Sequence, residues 1–244
     1  RADGRLWERI PVMLAMFVAM ALLHLQYSQP RAFWLFRYEA YLVGVGVIVV
    51  SAALFDRRYL FQSASRVTVK RVALVGMLLL IISPLTDRAV KSAARVPGAS
   101  ANIYEQQYQM GRFLREYYPG APTALNDIGA PAYLAKVKVL DLVGLASMEV
   151  ARLRRERRFS PGAIEELARA QNVRLAIVYD GWFRGSLPRS WVRAGSWRIR
   201  NPVVVGGDTV TFYATHGDEY AALVAHLLEF EPSLPAGVTA VIGR

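Results

Sequence analysis

The residues able to do chemistry in this chain are carboxylates, arginines and tyrosines. It has no cysteine, which removes thiolate nucleophiles, disulfides and cysteine-based zinc or iron–sulfur sites and leaves the redox compartment open. No G-x-G-x-x-G, Walker loop or H-E-x-x-H occurs, so the common phosphate-cradling and zinc-protease fingerprints are missing. His24, His216 and His226 are spaced so that no two share a helical face, and they read as structural. Asp127, Asp141 and Asp180 each fall at or near the end of an apolar run that reads as a strand. Open α/β sheets gather ligand groups at that edge, which makes Asp127 and Asp141 candidate ligand contacts. The competing reading is that each carboxylate caps a helix or ties down its own loop through backbone N–H groups. No nucleophile pairs with an obvious base, so no catalytic residue is assigned, no metal ligand is read, and no cofactor is indicated.

Two stretches concentrate arginine. Arg152, Arg154, Arg155, Arg157 and Arg158 surround Glu156. Spread round a helix they form a solvated surface; beside a membrane, Arg154, Arg155 and Arg158 would meet lipid headgroups, at about 1 kcal/mol per contact. Trp34, Phe36, Arg37, Tyr38, Glu39 and Tyr41 crowd one end of an apolar run. They read either as an aromatic belt with a snorkelled arginine or as a phosphate-binding pair, Arg37 and Tyr38, in which the guanidinium supplies two parallel donors.

The elements that must position these groups divide the sequence in two. Of its 244 residues 54% are hydrophobic, and the net charge is +11. Residues 1–96 hold thirteen basic and five acidic groups, residues 97–244 seventeen and fourteen. The more apolar part therefore carries most of the charge excess, which suits loops beside a bilayer better than a nucleic-acid face, and no nucleic-acid partner is expected. Three uncharged stretches, Ile10–Tyr27, Ala40–Phe55 and Val72–Thr86, read as transmembrane helices. Arg57, Arg58, Arg66, Lys70 and Arg71 between the second and third place that loop in the cytoplasm and everything after Thr86 outside. The opening Arg1-Ala2-Asp3-Gly4 has no signal-peptide pattern and reads as the start of a piece of a longer polypeptide.

Residues 92–100 read as a small-residue linker, and 101–244 as alternating helices and strands ending in antiparallel strands. Helices are expected over Asn102–Tyr118 and Pro161–Ala170, the latter capped by Ser160. Strands are expected at Val137–Leu142, Arg174–Tyr179, Trp191–Arg200 and Val203–Thr215. The expected fold class is thus a membrane α-helical part of about three transmembrane helices (1–91), followed by an α/β Rossmann-like three-layer extracytoplasmic domain with a mostly parallel sheet.

The stretch Arg37-Tyr38-Glu39-Ala40-Tyr41-Leu42, with Asn126-Asp127-Ile128-Gly129-Ala130-Pro131-Ala132-Tyr133-Leu134 and Val139-Leu140-Asp141-Leu142-Val143-Gly144-Leu145 downstream, resembles the C-terminal end of bacterial polytopic GT-C type membrane glycosyltransferases. The resemblance implies a bacterial inner-membrane protein whose partners are the lipid bilayer and a polyprenyl-phosphate-linked sugar. It also implies a catalytic acidic loop upstream of Arg1, with Arg37 and Tyr38 on the donor phosphate. The alternative is a non-enzymatic, membrane-anchored α/β binding domain of the cell envelope.

Overall fold

Long apolar runs form helices, and in the computed structural model, which describes residues 4–27, 36–55 and 67–243, three helices make up the described N-terminal part. They are α1 (Gly4–Tyr27), α2 (Ala40–Phe55) and α3 (Val67–Ile103). The chain divides into two units, Arg1–Val96 and Pro97–Arg244, with the division inside α3. Residues 92–100 are helical. In the first unit α1 packs on α2, where His24 Nδ1 lies 3.0 Å from the Tyr41 hydroxyl with the two rings edge to face. Arg88 lies over the Phe36 ring at 3.9 Å and reaches Glu39 at 3.8 Å. Trp34 and the loop arginines Arg57, Arg58 and Arg66 lie outside the described residues.

The expected transmembrane bundle is corrected: among the described residues no helix is long and apolar enough to cross a membrane. The uncharged runs are eighteen, sixteen and fifteen residues long, below the roughly 20 apolar residues of a typical span, and α1 and α3 extend beyond theirs through charged residues: Arg5, Glu8 and Arg9 before the first, Lys70, Arg71, Asp87 and Arg88 around the third. Corrected with it are the bilayer as partner, the inner-membrane and extracytoplasmic placement, and the polyprenyl-phosphate-linked sugar. The GT-C glycosyltransferase reading and the membrane-anchored envelope domain fall too, since both were built on those spans.

The second unit is a mixed α/β layer structure. A π-helical turn, Tyr104–Tyr108, leads into α4 (Gln109–Tyr117), and Pro119-Gly120 ends the helix. There follow β1 (Pro122–Leu125), α5 (Gly129–Ala135), β2 (Lys138–Asp141), α6 (Met148–Arg155), α7 (Pro161–Ala170) and β3 (Leu175–Val178). The chain ends with β4 (Val192–Ile199), β5 (Thr209–Ala214), α8 (Glu219–Phe230) and β6 (Val238–Ile242). Ser160 caps α7 by accepting the Ala163 N–H at 3.4 Å, with Pro161 in the first turn, where its missing N–H costs nothing.

The six strands lie in the order β2-β1-β3-β5-β4-β6. Only β1–β2 and β1–β3 pair parallel, and the other three pairings are antiparallel. This corrects the mostly parallel Rossmann-like sheet: β4 and β5 are joined by the single loop 200–208, and so short a connection permits an antiparallel neighbour. From β1 the chain moves to β2 on one side and later returns to β3 on the other, so the C-terminal ends of β1 and β3 flank a topological switch point.

Successive strand residues feed opposite faces. Leu125, Leu175 and Ile177 join Met110, Phe113 and Leu114 of α4 and Leu223, Leu227 and Phe230 of α8 on one face. Ala124, Ala176 and Val178 join Val150 of α6 and Ile164 and Ala168 of α7 on the other. Phe113 is the hub of the first face. It has the rings of Tyr117, Tyr118, Trp197, Phe212 and Phe230 between 5.3 and 5.7 Å away, the last three edge-on, the geometry aromatic quadrupoles prefer. Phe113→Ala should lower unfolding free energy by about 3–5 kcal/mol, read from urea unfolding of the full chain; a loss below about 1 kcal/mol would show that the rings close over the gap.

Candidate functional site

At the switch point the loops after β1 and β3 are stitched together by side chains. Asn126, just after β1, accepts the backbone N–H of Tyr179, just after β3, at 2.9 Å. That bond settles which way the amide faces, because only its oxygen can accept. The Tyr179 side chain then reaches the π-helical turn, where its hydroxyl donates to Gln106 Oε1 at 2.6 Å. Gln107 Nε2 faces three oxygens: the Tyr179 hydroxyl at 3.0 Å, Asp127 Oδ2 at 3.0 Å and Gln106 Oε1 at 3.2 Å. Turned the other way, the Gln107 carbonyl would meet the Asp127 carboxylate, so this orientation too is fixed by charge. A π-helical segment inside a longer helical stretch is a frequent companion of functional sites; here it carries Gln106 and Gln107 into the cluster.

Loop 200–208 forms the next wall of the cluster. Gln106 Nε2 donates to Gly207 O at 3.1 Å, and Trp182 Nε1 to Gly206 O at 2.9 Å. A Cβ on Gly206 would lie 2.5 Å from the Trp182 ring and 2.7 Å from the Tyr179 ring, and one on Gly207 3.1 Å from Tyr179. Two glycines are what lets this backbone lie on the rings. Asn102, at the end of α3, holds the same loop: it donates to Asn201 O at 2.9 Å and accepts the N–H groups of Val203 and Val204 at 2.6 and 3.3 Å.

The cluster is left with unmet hydrogen bonds. Gln107 is 4% exposed and Asn126 6%, yet Gln107 Oε1 and Asn126 Nδ2 have no partner. Asp127 is half-buried; the Gln107 amide and, at 3.4 Å, the Tyr179 hydroxyl approach one of its oxygens, and no cation among the described residues pairs with it. Burial first, and the Asp127 charge second, push the Tyr179 phenol above its ordinary range.

The other candidates lie in different surroundings. Asp141 is 1% exposed at the end of β2 and accepts the N–H groups of Val143 and Ala146 at 2.8 and 2.6 Å, one on each oxygen, which closes its loop. Asp180 receives the hydroxyls of Thr211 and Tyr213 at 2.8 and 2.9 Å. Arg154 donates twice to Leu142 O, at 3.2 and 2.7 Å, and lies 3.9 Å over the Phe159 ring; burial pulls its pKa down. Arg158 bonds Glu156 at 3.3 Å, and Arg155 is exposed. Arg37 and Tyr38 belong to the first unit, where Arg37 donates to the Tyr38 hydroxyl at 2.9 Å. Only Asp127 among the sequence candidates enters the cluster. Among the described residues no group of three or more histidines, cysteines or carboxylates could hold a metal. Gln106, Asn126 and Tyr179 escaped the sequence reading, although Gln107 stands out in hindsight as an amide within the apolar spacing of Asn102–Tyr118.

A family model described as "Domain of unknown function (DUF8728)" matches residues 101–213, a span that contains the π-helical turn, β1 to β4, all but the last residue of β5 and every residue of the cluster. No curated protein and no solved structure matches the chain.

Two outcomes follow from these bonds. Asn102→Ala leaves the Val203 N–H without its acceptor, at a cost of about 1–3 kcal/mol, and should speed hydrogen exchange at Val203 and Val204 while the sheet amides keep their protection; unchanged exchange would mean that the loop holds itself. A phenol whose pKa is raised by folding contributes stability that is whole below the unfolded tyrosine value of 10.0 and is lost as pH rises beyond it. Urea midpoints should therefore fall as pH climbs past that value, and less steeply in Tyr179→Phe; identical slopes would clear Tyr179 of the effect.

Proposed function

We propose that the unit Pro97–Arg244 is a binding module for a small polar molecule, received at the carboxyl edge of β1 and β3 between Asn126, Asp127, Gln107 and the Gly206-Gly207 loop. One observation carries the reading. Two deeply buried amides whose orientations are fixed by their other bonds still present an unpaired acceptor and an unpaired donor. Leaving such groups unsatisfied costs free energy, and a ligand or ordered water that meets them recovers it. They lie at the carboxyl ends of β1 and β3, at a topological switch point, which is where open sheets take ligands. Asp127, the candidate from sequence, supplies the charge. No nucleophile–base pair stands beside it, so the reading is one of recognition and assigns no bond-making step.

The test is a crystallographic soak of the full chain with a library of small polar fragments. Fragments should collect at the edge between Asn126, Asp127 and Gln107, and that population should vanish in Asn126→Asp, which keeps the acceptor for Tyr179 and removes the donor. Fragments gathering elsewhere while this edge stays empty would overturn the reading.

A further inference from the structure

Resting on that reading, we infer that the group received at Asp127 is a protonated primary amine, on a molecule that also carries a hydrogen-bond acceptor. The free groups of the cluster are mostly acceptors. Asp127 presents one oxygen with no protein donor, since both contacts of its carboxylate fall on Oδ2. Gln107 presents Oε1, unpartnered and sealed from solvent; the dimensions of an amide keep that atom within about 5 Å of Asp127 Oδ2. Two acceptors this close ask for a group with several donors, and an ammonium has three and no acceptor.

Charge selects among donor-rich groups. The carboxylate is half-buried and no cation among the described residues offsets it, so an anion is repelled. A hydroxyl would make neutral-to-charged contacts, whereas an ammonium makes bonds in which both partners are ionised, the strongest class of hydrogen bond. A metal ion is the other cation to weigh. Calcium takes six to eight oxygens, usually from several carboxylates, and among the described residues no group of three or more histidines, cysteines or carboxylates could hold a metal. Trp182, 46% exposed, stands beside the cluster with its ring 5.5 Å from that of Tyr179, and an indole is the aromatic that cations prefer. The second half of the inference comes from Asn126 Nδ2, the buried donor without a partner, which calls for an oxygen on the same molecule.

Two matched pairs separate charge from shape: serinol against glycerol, and benzylamine against benzyl alcohol, each differing by an ammonium in place of a hydroxyl. In calorimetric titrations of the full chain at neutral pH, each amine should bind at least tenfold more tightly than its alcohol. Asp127→Asn, which removes the charge and keeps the shape, should bring that ratio below twofold; Gln107→Met, which removes the whole amide and keeps the length, should also shrink the ratio and serves where Asp127→Asn does not fold. Equal binding of amine and alcohol would overturn the amine while leaving the binding module standing, as would fragments of other chemistry at this edge when neither pair binds. Calcium chloride binding at the edge and displacing the amine would assign a metal site instead. Neither pair binding, with the fragment library also absent, would remove both readings.

Discussion

Buried amides must be partnered, and that demand organises the second unit around one phenol. Gln106, Gln107, Gln109 and Asn126 are all buried, each a group whose transfer out of water is unfavourable unless its hydrogen bonds are replaced. Tyr179 serves three of the four: its backbone N–H goes to Asn126, its hydroxyl proton to Gln106, and its hydroxyl oxygen takes a proton from Gln107. The end of β3, the loop after β1 and the π-helical turn are thereby held at one place by directional bonds, where apolar packing alone would leave them free to slide. Two of the bonds that do not close, at Gln107 Oε1 and Asn126 Nδ2, are found at the same place.

The apolar layers supply the rigidity beneath it. Because the two faces of the sheet are filled independently, by α4 and α8 on one side and α6 and α7 on the other, β1 and β3 are clamped from both sides and their carboxyl ends are held in register, Leu125 opposite Ile177. A polar cluster at the rim of such a scaffold can carry unmet hydrogen bonds at a cost the core absorbs. A second ionic feature is the buried Glu219, which takes the exposed Arg174 on one carboxylate oxygen and the Tyr118 hydroxyl on the other; with both oxygens met, it reads as a fastening of α8.

Local signals in the sequence were legible where the physics is local. Ser160-Pro161 announces α7 because cap and first turn need only neighbouring residues, and the apolar run Arg174–Tyr179 contains β3 because a central strand buries both faces. The N-terminal runs read as spans from composition, yet among the described residues no helix combines the length and the apolarity a span needs, because charged residues bound each run. Asp127 and Asp141 look alike in sequence, since each follows an apolar run. They part in three dimensions, where the loop after β2 turns two N–H groups onto Asp141 while Asp127 faces a helix twenty residues earlier. Gln106 stayed hidden because a period of 3.6 is assumed in reading helices, and the π-helical turn departs from it at that residue.

The glycine pair at 206–207 has a consequence for how this unit can diverge. Its backbone lies on two aromatic rings with no room for a side chain at Gly206, so this position contributes only its peptide groups while Tyr179 and Trp182 remain. On the proposed reading, a change in what is recognised there would come from positions 106, 107, 126 and 127, on the π-helical turn and the loop after β1.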